Sequence, residues 1–91
     1  MTKADIVSEI ARSTGIDRST VLASIETFMN VVKGALADGE NVYLRGFGSF
    51  VVKTRAQKIA RNISKNVTIV IPEHNIPAFK PAKVFLNSVA K

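Results

Sequence analysis

Seven apolar side chains, Val21, Leu22, Ile25, Phe28, Met29, Val32 and Leu36, recur at steps of one, three and four along this chain. That spacing predicts an amphipathic helix over roughly 18–38, with Asp17 to open it and Gly39 to close it. The whole chain has 91 residues, which allows one domain at most. A domain this small buries only about 60% of its unfolded surface. One short helix and a small sheet are too little to cover such a stripe. The chain has no cysteine and one histidine, His74, so disulfides, thiolate metal sites and a zinc set are all ruled out as staples. No metal and no cofactor is expected, and Phe28 and Met29 read as core. The missing core is expected from a second copy.

Ahead of the stripe, Thr2 and Asp5 have capping-box spacing, and Ile6, Ile10 and Ala11 follow at helical intervals up to Gly15. Helix, glycine turn and helix invite a helix-turn-helix reading. The second helix carries Arg18, Glu26, Lys33 and Asp38, a sum of zero, which suits no DNA-reading helix. No uncharged run exceeds seven residues, so a membrane span of about 20 apolar residues is excluded. Asp5 and Glu9 interrupt any apolar signal region, and a cytoplasmic protein is expected.

The net charge is +6, unevenly spread. Residues 1–44 hold four bases against six acids, and residues 45–91 hold nine bases against Glu73 alone. A basic block on a folded domain points to nucleic acid or an anionic surface. Within it, 41–44 reads as a short strand, Gly46-Phe47-Gly48 as a tight bend and 49–58 as a long strand. Lys53, Arg55 and Arg61 share odd positions, and Lys58 falls on the other face. Residues 59–66 read as a loop and 67–71 as a return strand, which makes a hairpin whose outer part has few apolar residues to pack, projecting as an arm. Ile76–Phe79 reads as a turn. Pro81 reads as the first residue of a last helix, 81–90, with Phe79 and Val84 as its hydrophobic staple. Lys80 at its cap and Lys83 in its first turn oppose the helix dipole, so they read either as a phosphate-contact pair or as two solvated lysines.

Several motifs fall away. Arg45-Gly46-Phe47-Gly48 begins like the RNA-binding motif of an RRM, but Ser49 and Phe50 break the pattern. No Gly-Lys-Ser/Thr follows the glycines, so they are no phosphate loop. They let the backbone turn sharply or approach another chain. His74 sits between Glu73 and Asn75 with no adjacent nucleophile, and no enzyme signature is present. A membrane-surface reading lacks a basic amphipathic helix. An RNA-binding protein, with bases stacked on Tyr43 and Phe47, is the rival from another class.

Gly46-Phe47-Gly48-Ser49-Phe50, Arg61-Asn62 and Ile76-Pro77-Ala78-Phe79-Lys80, in that order, resemble the HU/IHF family of bacterial histone-like DNA-bending proteins, and the HU branch most. The resemblance runs the whole length of the chain. It implies an α+β fold: two N-terminal helices, a three-stranded antiparallel sheet extended into a β-hairpin arm, and a short C-terminal helix. It implies one domain over 1–91, with a helical dimerisation body at 1–40, sheet and arm at 41–76, an arm tip near 59–66 and the last helix at 81–90. The partners implied are double-stranded DNA and a second copy in an intertwined homodimer, or a paralogue in a heterodimer.

The family's arm bases fall here on Lys53, Arg55, Lys58 and Arg61, and its body contacts on Lys3, Lys80 and Lys83. Gly46 and Gly48 match the glycines at the base of the arm. Arg45, Asn62 and Lys65 are placed at the same interface. Phe47, Phe50 and Phe79 match the aromatic core under the arms and join the apolar stripe as dimer core. Three positions depart from the pattern. Ile63 stands where the family's tip usually has the proline wedge; it reads either as a wedge, since isoleucine is itself a wedge type in minor-groove architectural proteins such as IHF/HU, or as a residue packed on Ile59 or Val67 at the end of the hairpin. Asn66 stands where glycine is common, and Leu86 where a base is frequent. The function implied is non-catalytic DNA binding and bending in the minor groove by two basic arms, for nucleoid compaction and DNA architecture. Affinity comes from phosphate neutralisation, with weak sequence preference. A sequence-preferring host-factor-like bender is the alternative.

Overall fold

The computed structural model describes residues 1–62 and 67–90, leaving aside the side chains of residues 61 and 62. In chain order it contains α1 (Lys3–Thr14), α2 (Arg18–Ala37), β1 (Val42–Leu44), β2 (Gly48–Arg55), β3 (Lys58–Asn62), β4 (Val67–Ile71), β5 (His74–Pro81) and α3 (Lys83–Val89). It divides into two units, Met1–Ala35 and Leu36–Lys91.

In the first unit, α1 opens with the expected capping box. Thr2 Oγ1 accepts from the Asp5 amide at 3.3 Å, and Asp5 Oδ2 accepts from the Thr2 amide at 2.9 Å. Gly15 closes the helix at φ 74°, a left-handed conformation that a side chain would strain. Asp17 opens α2, accepting from the Thr20 amide through Oδ2 and from Ser19. Among the described residues only Val7, Val21 and Val32 are buried hydrophobics. Leu22, Phe28 and Met29 each leave more than a third of their surface exposed. The stripe forms a helix as expected, and the single chain leaves much of it open.

In the second unit, β1, β2 and β5 form one antiparallel sheet in the order β1-β2-β5, and β3 pairs with β4 in a separate ribbon. Four sequence expectations change here. Residues 76–79 lie in a strand, because Pro77 and Pro81 occupy an edge strand, where a missing N–H costs little. Residues 59–62 continue the hairpin, with Ile59 opposite Val70 and Ala60 opposite Ile69. The long strand is interrupted at 56–57, facing Pro72 and Glu73, where proline offers no ladder donor. Pairing resumes in the same register, Arg55 opposite His74 and Lys58 opposite Ile71. Finally, the last helix starts at Lys83, not Pro81. Pro81 is paired with Gly48, and the Ala82 amide donates to the Phe47 carbonyl at 2.9 Å. Ala82 is thus the cap, Lys80 is a strand residue, and Val84, 72% exposed, forms no staple.

The core of the sheet is aromatic. Phe47 lies 5.1 Å from Phe79 and 5.4 Å from Phe85, and Phe50 lies 5.1 Å from Phe79. Gly48 is required by this packing. A Cβ there would stand 2.5 Å from the Lys80 carbonyl oxygen and 2.6 Å from Phe79 Cζ.

Candidate nucleic-acid interface

Strand register sorts the second unit's side chains onto two faces. Along β2, the even positions put Phe50 between Val42 and Phe79, on the aromatic side. The odd positions build the other face. Tyr43, Ser49 and Lys80 stand in one row across the three strands. Lys53 lies opposite Ile76, and Arg55 opposite His74. Lys53, Arg55 and Lys80 are all exposed, around a half-buried midline of Val51, Ala78 and Ile76. One sheet face therefore collects three cations with no acid in its paired positions.

The bend before β2 serves this face. The Phe47 amide donates to the Leu44 carbonyl at 3.0 Å, closing a turn with Gly46 at φ 82°. That is the position where a type II turn needs a positive φ. It holds Arg45 exposed at the end of the sheet, beside a concavity also lined by Tyr43, Gly48 and Lys80. Lys83 is the exposed first residue of α3. A helix of seven residues that begins at Lys83 is not the anion-binding cap that a start at Pro81 implied.

Lys58 is exposed on β3, and the same ribbon carries Arg61 and Asn62 in its backbone ladder. Ile63 and Lys65 lie outside the described residues. In the first unit, Lys3 begins α1 and pairs with Glu26 at 3.1 Å, both side chains about half exposed. Its charge is already shared with a carboxylate, which a phosphate would have to displace.

Three polar residues of the sheet face were not assigned to the DNA interface on sequence grounds: Tyr43, Ser49 and His74. Tyr43 is 72% exposed, and its hydroxyl accepts from Asn41 Nδ2 at 3.3 Å. Asn41 Oδ1 in turn accepts from the Val52 amide at 3.0 Å. His74 Nδ1 donates to the Pro72 carbonyl at 2.9 Å, and among the described residues Nε2 has no hydrogen-bond partner. Ser49 shares the odd parity of Lys53 along β2, whereas the placement of Tyr43 and His74 on that face becomes visible only once the register between strands is known. Phe85 was likewise missing from the expected aromatic core.

The family described as Bacterial DNA-binding protein matches residues 1–90. DNA-binding protein HU of Thermus thermophilus is 37% identical over 91 residues, covering 100% of this chain and 94% of that protein. Integration host factor subunit alpha of Erythrobacter litoralis is 33% identical over 91 residues, covering 100% and 91%. A co-crystal structure of Anabaena HU with DNA superposes with a TM-score of 0.92 at 30% identity, covering 99% of this chain and 98% of that one. The chain belongs to the HU/IHF family of bacterial DNA-binding proteins.

Proposed function

We propose that this protein is a non-catalytic architectural DNA-binding protein, which as a homodimer holds double-stranded DNA on its basic sheet faces and bends it through the minor groove with two β-arms. One observation carries the reading. A single register brings Lys53, Arg55 and Lys80 to one face and continues into a ribbon that bears Lys58 and Arg61. The exposed stripe on α2 supports the second copy. The likeness to an HU chain crystallised with DNA supports the ligand.

Lys3, Arg45 and Lys83, with Lys65 and Asn62 near the tip, complete the set of phosphate and groove contacts, and Ile63 acts as the wedge. Binding through phosphates and deformability leaves sequence preference weak. Such a protein works in the bacterial nucleoid and therefore in the cytoplasm. No helix among the described residues is long and apolar enough to cross a membrane.

The test is energy transfer across a short duplex labelled at both ends. Saturating protein should bring the ends closer, and single-stranded RNA should compete poorly. Tight binding with no approach of the ends, or preference for the RNA, would overturn the reading.

A further inference from the structure

The two edges of the arm ribbon differ in charge. β3 carries Lys58 and Arg61 among its five residues, whereas β4 carries no charge at all. Val67, Thr68, Ile69, Val70 and Ile71 are all β-branched and all exposed, and among the described residues β4 pairs only with β3. An unpaired strand edge offers its N–H and C=O groups to another strand, and lysines or prolines usually block it. β4 has neither. Short, uncharged, β-branched segments are the ones that pair most readily.

We propose that β4 is a self-association edge, through which the arms of two separate molecules pair as an antiparallel β4–β4 ladder about a two-fold axis. Charge selects a second copy as the occupant. An acidic partner finds its attraction on β3 and none on β4. Two copies joined through their β3 edges would gather four cations, two from each, in one short ladder. Joined through β4 and centred on Ile69, they set Ile69 against Ile69, Thr68 against Val70 and Val67 against Ile71, with no charge opposed. Directly opposed β-branched pairs are favourable cross-strand neighbours. Each dimer has two arms, so the same contact links molecules in series. This contact goes beyond DNA binding and forms without DNA.

The chain contains no cysteine, so one introduced thiol reports cleanly. A two-fold axis at Ile69 brings the two Ile69→Cys sites within disulfide reach, a Cα separation of roughly 4.4–6.8 Å. Ile59→Cys, on β3, is the reference, since Ile59 is 68% exposed and Ile69 47%. In DNA-free protein under mild oxidation, Ile69→Cys should cross-link several-fold faster than Ile59→Cys. The product should sediment as a species larger than one dimer. Wild-type protein should also associate beyond the dimer as concentration rises, and Ile69→Lys should abolish this while its circular dichroism stays unchanged. Equal cross-linking rates, or a cross-linked product that sediments as one dimer, overturn the proposal. The assay contains no DNA, so that result would leave the DNA-binding reading standing.

Discussion

Gly48 and Phe79 approach so closely that a single methyl group on Gly48 would meet the Phe79 ring at 2.6 Å. The glycine that looks like a turn element in sequence is a packing element in the fold. The neighbouring atom at 2.5 Å is a backbone carbonyl, which cannot swing aside. Gly48→Ala should therefore destabilise the protein by about 1–3 kcal/mol, the usual range for overpacking. Chemical denaturation checks this, and Gly46→Ala is an informative companion. A Cβ at Gly46 meets nothing within 4 Å, so any loss there comes from its positive φ alone.

Lys3 and Glu26 form an exposed pair, and such pairs contribute about 0–1 kcal/mol to stability. Glu26→Gln should leave the melting temperature nearly unchanged. It should strengthen duplex binding at low salt, because Lys3 no longer has to leave a carboxylate to reach phosphate. Unchanged affinity at every salt concentration would remove Lys3 from the interface.

The two helix caps set the acid limb of stability. Hydrogen bonds from Thr2 hold the Asp5 carboxyl below its ordinary 3.8, and bonds from Ser19 and then Thr20 do the same for Asp17. A lowered folded pKa means that the unfolded chain binds the proton first as pH falls. The caps' contribution is thus present above 3.8 and lost as pH drops through the lower folded values. Asp17→Asn keeps a good capping side chain but cannot titrate. Thermal melts of this variant between pH 5 and pH 2, roughly the range over which a depressed carboxylate titrates, should show a shallower acid loss than wild type.

A stripe that leaves Leu22, Phe28 and Met29 open in one chain needs a partner. The melting temperature should rise with protein concentration, as mass action requires when folding and association are coupled. Sedimentation equilibrium that finds a stable folded monomer at micromolar concentration would contradict the dimer.

Much of this was legible in the sequence wherever the signal is local. Thr2 with Asp5, Gly15, Asp17 and Gly39 mark helix ends through their own side chains or backbone freedom. Val67–Ile71 reads as a strand from its β-branching and is one. Pairing was not legible. Ile76-Pro77-Ala78-Phe79 carries a turn composition, and only its place at a sheet edge makes it a strand. The displaced start of α3 depends on the bond from Ala82 to Phe47, a contact across 35 residues of sequence. For the same reason the bases Lys53, Arg55 and Lys80 could be named from the sequence, while Tyr43 and His74, brought beside them by pairing, could not.

Phosphate neutralisation is the foundation of the DNA-binding reading, and a salt titration measures it directly. If four or five bases of each chain reach phosphates, the dimer neutralises roughly 8–10 charges, and the logarithm of duplex affinity should fall with the logarithm of salt at a slope of about −7 to −9. Replacing Lys53 by alanine should flatten that slope by roughly 2 per dimer, one phosphate from each chain. A wild-type slope shallower than about −3 would mean that the bases on the sheet face and arm are solvated charges, and that these surfaces are not where DNA binds.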